Sequence, residues 1–215
     1  MQRFTEDIDS LVAETCDMAN LAADMIDKSV QAIVDENLEL ADEVIDDFDR
    51  LTRYDDEIEE AAIRILTLYQ PTAVDSRTVA TVMKSITYLE RIGKYGVNIA
   101  KATKYLSDKP MYEPVNMIAP MGETAVRMVK TVIKGFEEKS VDGFDKFQEM
   151  DDYLDRTMRD DLSKLVEFIT ANPESADVCT YYISVLKYLE RVGDHACKMA
   201  EKVNFMVTGM RAHIA

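Results

Sequence analysis

Seven glycines and five prolines in 215 residues give this chain few places to turn. With alanine, leucine, isoleucine, methionine and both acids abundant, that scarcity argues for helix and against sheet. Cysteine is scarce as well. Cys16, Cys179 and Cys197 are odd in number and include no closely spaced pair, so no disulfide framework is expected and a reducing cytoplasm is the default setting. The two histidines, His195 and His213, do not follow a glutamate at the Glu-x-x-His spacing of carboxylate-bridged di-iron bundles, which counts against redox chemistry. There is no glycine-rich phosphate loop, and no serine, cysteine or lysine stands in a recognisable catalytic setting. No enzyme activity is expected, and no catalytic or cofactor-binding residue is nominated.

Basic residues are also in deficit: 25 against 41 acidic ones, a formal charge of -16. Such a balance opposes nucleic-acid phosphate and anionic lipid, and suits cations or a basic protein partner. Much of it is also what solvated helix faces carry. About 18 consecutive apolar residues, the length needed to span a membrane, occur nowhere. The N-terminus turns acidic at once and lacks the apolar core of a signal peptide. The expectation is a cytoplasmic protein without membrane insertion, able to dock on a membrane protein.

What the chain does have is one fifteen-residue phrase, twice. It reads Tyr88-Leu-Glu-Arg-Ile-Gly-Lys-Tyr-Gly-Val-Asn-Ile-Ala-Lys-Ala102, then, 100 residues later, Tyr188-Leu-Glu-Arg-Val-Gly-Asp-His-Ala-Cys-Lys-Met-Ala-Glu-Lys202. An internal duplication is the economical explanation. Steps of three and four through Leu186, Leu189, Gly193, Ala196, Ala200 and Val203 mark the seam of a bundled helix, repeated by Val82, Ile86, Leu89, Gly93, Gly96 and Ala100. The small residues at its middle invite close helix approach, which offsets the roughly 1 kcal/mol that a helical glycine costs. Glu190 and Asp194, four apart, share one flank of that seam; their counterparts are Glu90 and Lys94.

Taken in order, Thr5 can cap a helix reaching Val34, Asp35-Glu-Asn37 breaks it, and a second starts at Leu38 and ends before Pro71. Asp75 and Ser76 can cap a third that fades near Ser107. Ser107 to Pro114 holds two prolines and no stripe, so it reads as a linker. A fourth helix spans Asn116 to Lys139, a fifth starts at Phe144 and stops before Pro173, and a sixth runs from Ser175 to Met210. The chain is therefore read as all-α: two tandem antiparallel three-helix bundles, six helices in all, related by duplication and set end to end or side by side. The divisions are 1–107 for the first repeat, 108–115 for the linker and 116–215 for the second repeat.

The Tyr-Leu-Glu-Arg-Ile/Val-Gly phrase closing each half resembles the signature of the PhoU family. Leu38-Glu-Leu-Ala-Asp-Glu-Val44 and Gln70-Pro-Thr-Ala-Val-Asp-Ser-Arg77 are similar to family text as well. The resemblance covers almost the whole chain. It implies a regulator of phosphate uptake and phosphate-dependent signalling that works with a phosphate ABC transporter and, in many bacteria, restrains a phosphate-sensing histidine kinase. A homodimer is compatible with it. It also implies multinuclear iron or zinc clusters held by acidic i,i+4 pairs on the middle and last helix of a repeat.

Carried over, the second repeat matches fully: Asp151 and Asp155 on the fifth helix, Glu190 and Asp194 on the sixth, with Glu201 a weaker candidate and His195 directed elsewhere. Four carboxylates from two helices offer hard oxygen ligands whose mutual repulsion a cation relieves. The first repeat departs from the pattern. Phe48, Thr52 and Lys94 stand for Asp151, Asp155 and Asp194, and only Glu90 remains. That degenerate site is expected to hold no metal, and Glu90 and Lys94 are expected to form a surface ion pair. Arg91 and Arg191 are read as holding neighbouring carboxylates, facing a partner or simply exposed. Against this regulator stand two other readings: a carboxylate-bridged redox metalloprotein, and a helical adaptor unrelated to phosphate.

Overall fold

The computed structural model describes residues 2–109 and 116–215. Of the expected linker, residues 110–115 lie outside the described residues. Six long helices make up the fold: α1 (Gln2–Val34), α2 (Leu38–Tyr69), α3 (Ala73–Leu106), α4 (Ile118–Glu137), α5 (Phe147–Ala171) and α6 (Ala176–Thr208). No strand occurs among the described residues, so the all-α expectation holds.

Local chemistry sets the boundaries. Asn37 caps α2, its side chain accepting from the Leu40 amide at 3.0 Å. Pro71 ends that helix by moving Gln70 out of helical geometry, to a left-handed φ of 47°. Three ends differ from expectation. α1 begins at Gln2, so Thr5 is an interior residue rather than a cap. α3 begins after Thr72, one turn before the expected caps, because Thr72 donates its hydroxyl to Asp75 (3.0 Å) and Ser76 donates to the Pro71 carbonyl (2.9 Å). Phe144–Lys146 form a 3-10 turn and α5 starts only at Phe147.

The two repeats lie side by side. α1 packs on α4 and α3 on α6, while α2 leans on α1 and α3, and α5 on α6 and α4. α1 and α3 therefore bury wide surfaces, whereas α2 buries a narrow stripe through Ala41, Val44, Leu51, Ile58, Ala62 and Ile65.

The repeated glycines show how closely the halves correspond. A Cβ on Gly93 would run into the tip of Leu51 beside the Met25 sulfur, and one on Gly193 into the tip of Leu154 beside the Met128 sulfur. Leu51 pairs with Leu154, and Met25 with Met128, at an offset of 103. Between the middle and last helices the first repeat is thus three residues longer than the second. This register places Phe48 opposite Asp151 in the alignment and Thr52 opposite Asp155.

Where α3 crosses α6, four rings interleave. His195 stacks on Tyr88 (centroids 5.6 Å apart) and on Tyr95 (5.7 Å), and Tyr95 stacks on Tyr188 (5.7 Å). Tyr88 and Tyr188 are repeat counterparts, as are Tyr95 and His195, so the internal symmetry axis runs through this stack.

Candidate functional site

The acidic flank of the second repeat is built from one face each of α5 and α6. On α5, Leu154 and Leu165 turn inward and leave Asp151 and Asp155 half-buried at the edge facing α6. On α6, Leu189 and Gly193 face the core, so Glu190 and Asp194 come to the same edge. The four carboxylates sense one another. Burial raises the Asp151 carboxyl above its usual range, a hydrogen bond from the Cys197 thiol opposes the rise, and Asp155 and Asp194 add to it. Burial likewise raises Glu190, followed by repulsion from Asp194, against which Arg191 works.

Arg191 is the cation at this flank. It donates Nη1 to Asp194 Oδ2 at 2.8 Å and lies 3.4 Å from Glu190 Oε2. Even so, Glu190 Oε2 is buried without a hydrogen-bond partner. Cys197 was not singled out from the sequence. It lies one turn beyond Asp194, buried, with its Sγ 3.5 Å from Asp151 Oδ1. Glu201 sits apart from Arg191, toward the C-terminal tail, 3.6 Å from His213.

The donor set suits a cation in its chemistry, through hard oxygens, an orphaned carboxylate oxygen and an adjacent thiol. In geometry, no three His, Cys, Asp or Glu side chains among the described residues converge on one point. Asp151, Asp155, Glu190 and Asp194 are the residues that would hold a metal here, supplying negative charge to balance it.

The first repeat corrects one expectation. Glu90 and Lys94 do not form an ion pair; Lys94 lies over the Phe48 ring, its Nζ 4.8 Å from the centroid. An exposed i,i+4 pair contributes only about 0.3–0.5 kcal/mol, and a cation over an aromatic face about 0.5–1 kcal/mol, so the ring wins. Glu90 instead faces the Asp55 carboxylate, two turns beyond Phe48 on α2. Burial and then Glu90 raise Asp55, whose Oδ1 is buried without a partner.

The sequence matches the PhoU domain twice, over residues 15–103 and 118–203. The chain belongs to the PhoU family. It is 28% identical over 212 residues to the phosphate-specific transport system accessory protein PhoU homolog of Clostridium acetobutylicum, covering 98% of this chain and 97% of that one. Its identity to the protein of the same description in Zymomonas mobilis is 30%, covering 97% and 88% respectively. The crystal structure of PhoU from Pseudomonas aeruginosa superimposes with a TM-score of 0.93 at 26% identity, covering 96% of this chain and 100% of that chain. The PhoU structure from Streptococcus pneumoniae shares the fold, with a TM-score of 0.89 at 22% identity and coverage of 97% and 99%.

Within the PhoU phrase, His195 is buried in the ring stack, away from the acidic flank as expected. Its Nε2 lies 3.4 Å from the Tyr95 hydroxyl and its Nδ1 has no partner. Burial, then Arg91, lowers its pKa to about 4, with Asp194 opposing and Lys198 and Arg191 reinforcing. The fold thus holds the ring neutral. Between pH 6.5 and about 4 the unfolded chain takes up the proton first, so this stabilisation is complete above pH 6.5 and is lost as pH falls to 4. The size is about 3 kcal/mol at most. Asp151 and Glu190 act in the opposite sense, since acid relieves their strain. In chelator-treated protein, His195→Phe is expected to remove the loss of stability across this window in urea titrations, keeping the stack. An unchanged slope would contradict the assignment.

No helix among the described residues is long and apolar enough to cross a membrane.

Proposed function

We propose that this PhoU-family chain is an accessory regulator of phosphate uptake, acting at the cytoplasmic face by binding a component of a phosphate ABC transporter. Contact with a phosphate-responsive histidine kinase and self-association as a homodimer belong to the same reading. Its curated relatives are described as phosphate-specific transport system accessory proteins, over nearly their whole length. The observation that carries the mechanism is the under-compensated acidic flank of α5 and α6. Of Asp151, Asp155, Glu190 and Asp194, only the last two meet the Arg191 guanidinium, and the Glu190 Oε2 oxygen is left without a hydrogen-bond partner.

Such a surface can act in two linked ways. It attracts a basic cytoplasmic segment of a membrane partner, and it binds a metal cation, iron or zinc, that neutralises the four carboxylates. A bound metal supplies positive charge to this edge; the chain's own part is to hold the carboxylates on two rigid helices. Because those groups must be ionised to bind, affinity for metal falls as pH drops. No bond-making step is assigned to the chain.

The test is association with membranes carrying the cognate transporter. Asp151→Ala together with Glu190→Ala is expected to reduce co-sedimentation at least tenfold, while the first-repeat pair Asp55→Ala, Glu90→Ala leaves it intact. Equal association in both variants would contradict the assignment of the flank.

A further inference from the structure

The duplication is broken at one place that the acidic flank does not touch. Where the end of α3 meets the start of α6, Tyr105 and Tyr181 stack with centroids 3.9 Å apart and an interplanar angle of 14°. Tyr105 also donates its hydroxyl to Asp177 at 3.0 Å. Internal symmetry relates this crossing to the one where the start of α3 meets the end of α6, and there the counterparts are Phe205 and Thr81. Thr81 is buried, and its hydroxyl donates to the Lys202 carbonyl at 3.2 Å. The second ring is therefore missing. A cavity of about 290 Å³ opens there, with Phe205 and Thr81 in its wall.

Its rim is basic in an acidic protein. Lys84, Lys202 and Arg211 line it, and among the described residues none of them takes part in an ion pair. The carboxylate in the wall, Glu201, faces His213. The two lysines are not inherited from the duplication, since their counterparts are Ser184 and Ala102. The tail is fastened to bring Arg211 there. Gly209 turns the chain at a left-handed φ of 73°, Asn204 donates to the Met210 carbonyl at 3.0 Å, and Ile214 and Ala215 pack back on the core. Arg77 braces the turn, its Nε donating to the Met206 carbonyl at 3.4 Å, and adds a further positive charge nearby.

We infer that this cavity binds a nucleotide, its base stacked on Phe205 where the symmetry-related site holds the Tyr181 ring, and its phosphate held by Lys84, Lys202 and Arg211. Aromatic faces take bases of any identity, while ammonium and guanidinium donors suit a phosphate dianion. Small-molecule sites span roughly 300–1,000 Å³, so a cavity at the bottom of that range selects a mononucleotide. The inference does not rest on the transporter reading, and would give the regulator a small-molecule input separate from the acidic flank.

Isothermal titration of the full chain with the four nucleoside monophosphates, adenosine and inorganic phosphate tests it. At least one monophosphate is expected to saturate a single site at least tenfold more tightly than inorganic phosphate or adenosine. Thr81→Tyr rebuilds the missing ring and should abolish binding without lowering the thermal midpoint. Lys84→Gln with Lys202→Gln should weaken binding at least tenfold, and Lys130→Gln with Lys134→Gln on α4 should leave it unchanged. The inference is overturned by no monophosphate binding, by inorganic phosphate binding equally well, or by equal weakening in both lysine pairs. Should Thr81→Tyr fail to fold, the two lysine pairs still decide the question.

Discussion

Replacing Asp161 by isoleucine is expected to raise the thermal midpoint of the protein. Asp161 is 2% exposed, within the buried face of α5. One oxygen accepts from Lys164 at 2.8 Å and the other has no partner. In the register fixed by Leu51 and Leu154, the first repeat has Ile58 at this place, fully buried. The fold therefore already accommodates isoleucine in an equivalent setting. Replacing a buried ion pair by well-packed apolar groups is commonly neutral or stabilising by about 1–4 kcal/mol. Lys164 is 63% exposed and can return to water without penalty. At about 2–4 °C per kcal/mol for a chain of this size, the midpoint should rise by several degrees. Asp161→Asn, which keeps a polar group in the same place, should gain less. A fall in the midpoint of the isoleucine variant would mean that the carboxylate has partners it needs.

Gly96→Leu is expected to cost about 3 kcal/mol or more, at the upper end of what overpacking a core does. Here α3 approaches α1 backbone to backbone: a Cβ on Gly96 would stand 3.1 Å from the Met25 carbonyl oxygen. The counterpart in the second repeat is Ala196, fully buried, so one methyl group can be housed at this crossing. Gly96→Ala should accordingly be near neutral, with about 1 kcal/mol of helix propensity offsetting the tight contact. Leucine adds three more carbons between two helix backbones that other contacts hold in place. Urea titration of the pair decides it. A leucine variant within 1 kcal/mol of the alanine variant, roughly, would show that α1 and α3 are free to separate.

Much of this architecture was legible because it is written in short-range chemistry. The period of the seams gave six helices, Pro71 and Asn37 marked their ends, and the family resemblance led to Asp151 and Asp155. α3 starts at Ala73, one turn before the expected caps, with Thr72 bonded to the Asp75 side chain rather than capping the backbone. The side-by-side arrangement was open in the sequence. Period alone shows that α3 has an inward face, but not that its other face lies on α6.

The ring stack of Tyr88, His195, Tyr95 and Tyr188 follows from that crossing, so it too was out of reach. At the acidic flank the four carboxylates were legible from spacing and resemblance. Arg191 meets them as one of the readings of that residue had it, while Cys197 was not singled out. Lys94 went to Phe48 rather than Glu90 because the energies of exposed pairs differ by only tenths of a kcal/mol. Asp161 was missed because a carboxylate is ordinarily assigned to the solvent face; the alignment with Ile58 was the signal that could have found it.

We propose that the second repeat carries a cation site which the first, with Phe48, Thr52 and Lys94 in place of three carboxylates, lacks. Elemental analysis of tag-free protein purified without chelator tests it most directly, beside the Glu190→Ala, Asp194→Ala and the Glu90→Ala variants. Iron, zinc or another transition metal is expected at one equivalent or more per chain, lost in the second-repeat variant and retained in Glu90→Ala. Absence of metal after reconstitution near neutral pH, or metal retained when Glu190 and Asp194 are gone, would contradict it.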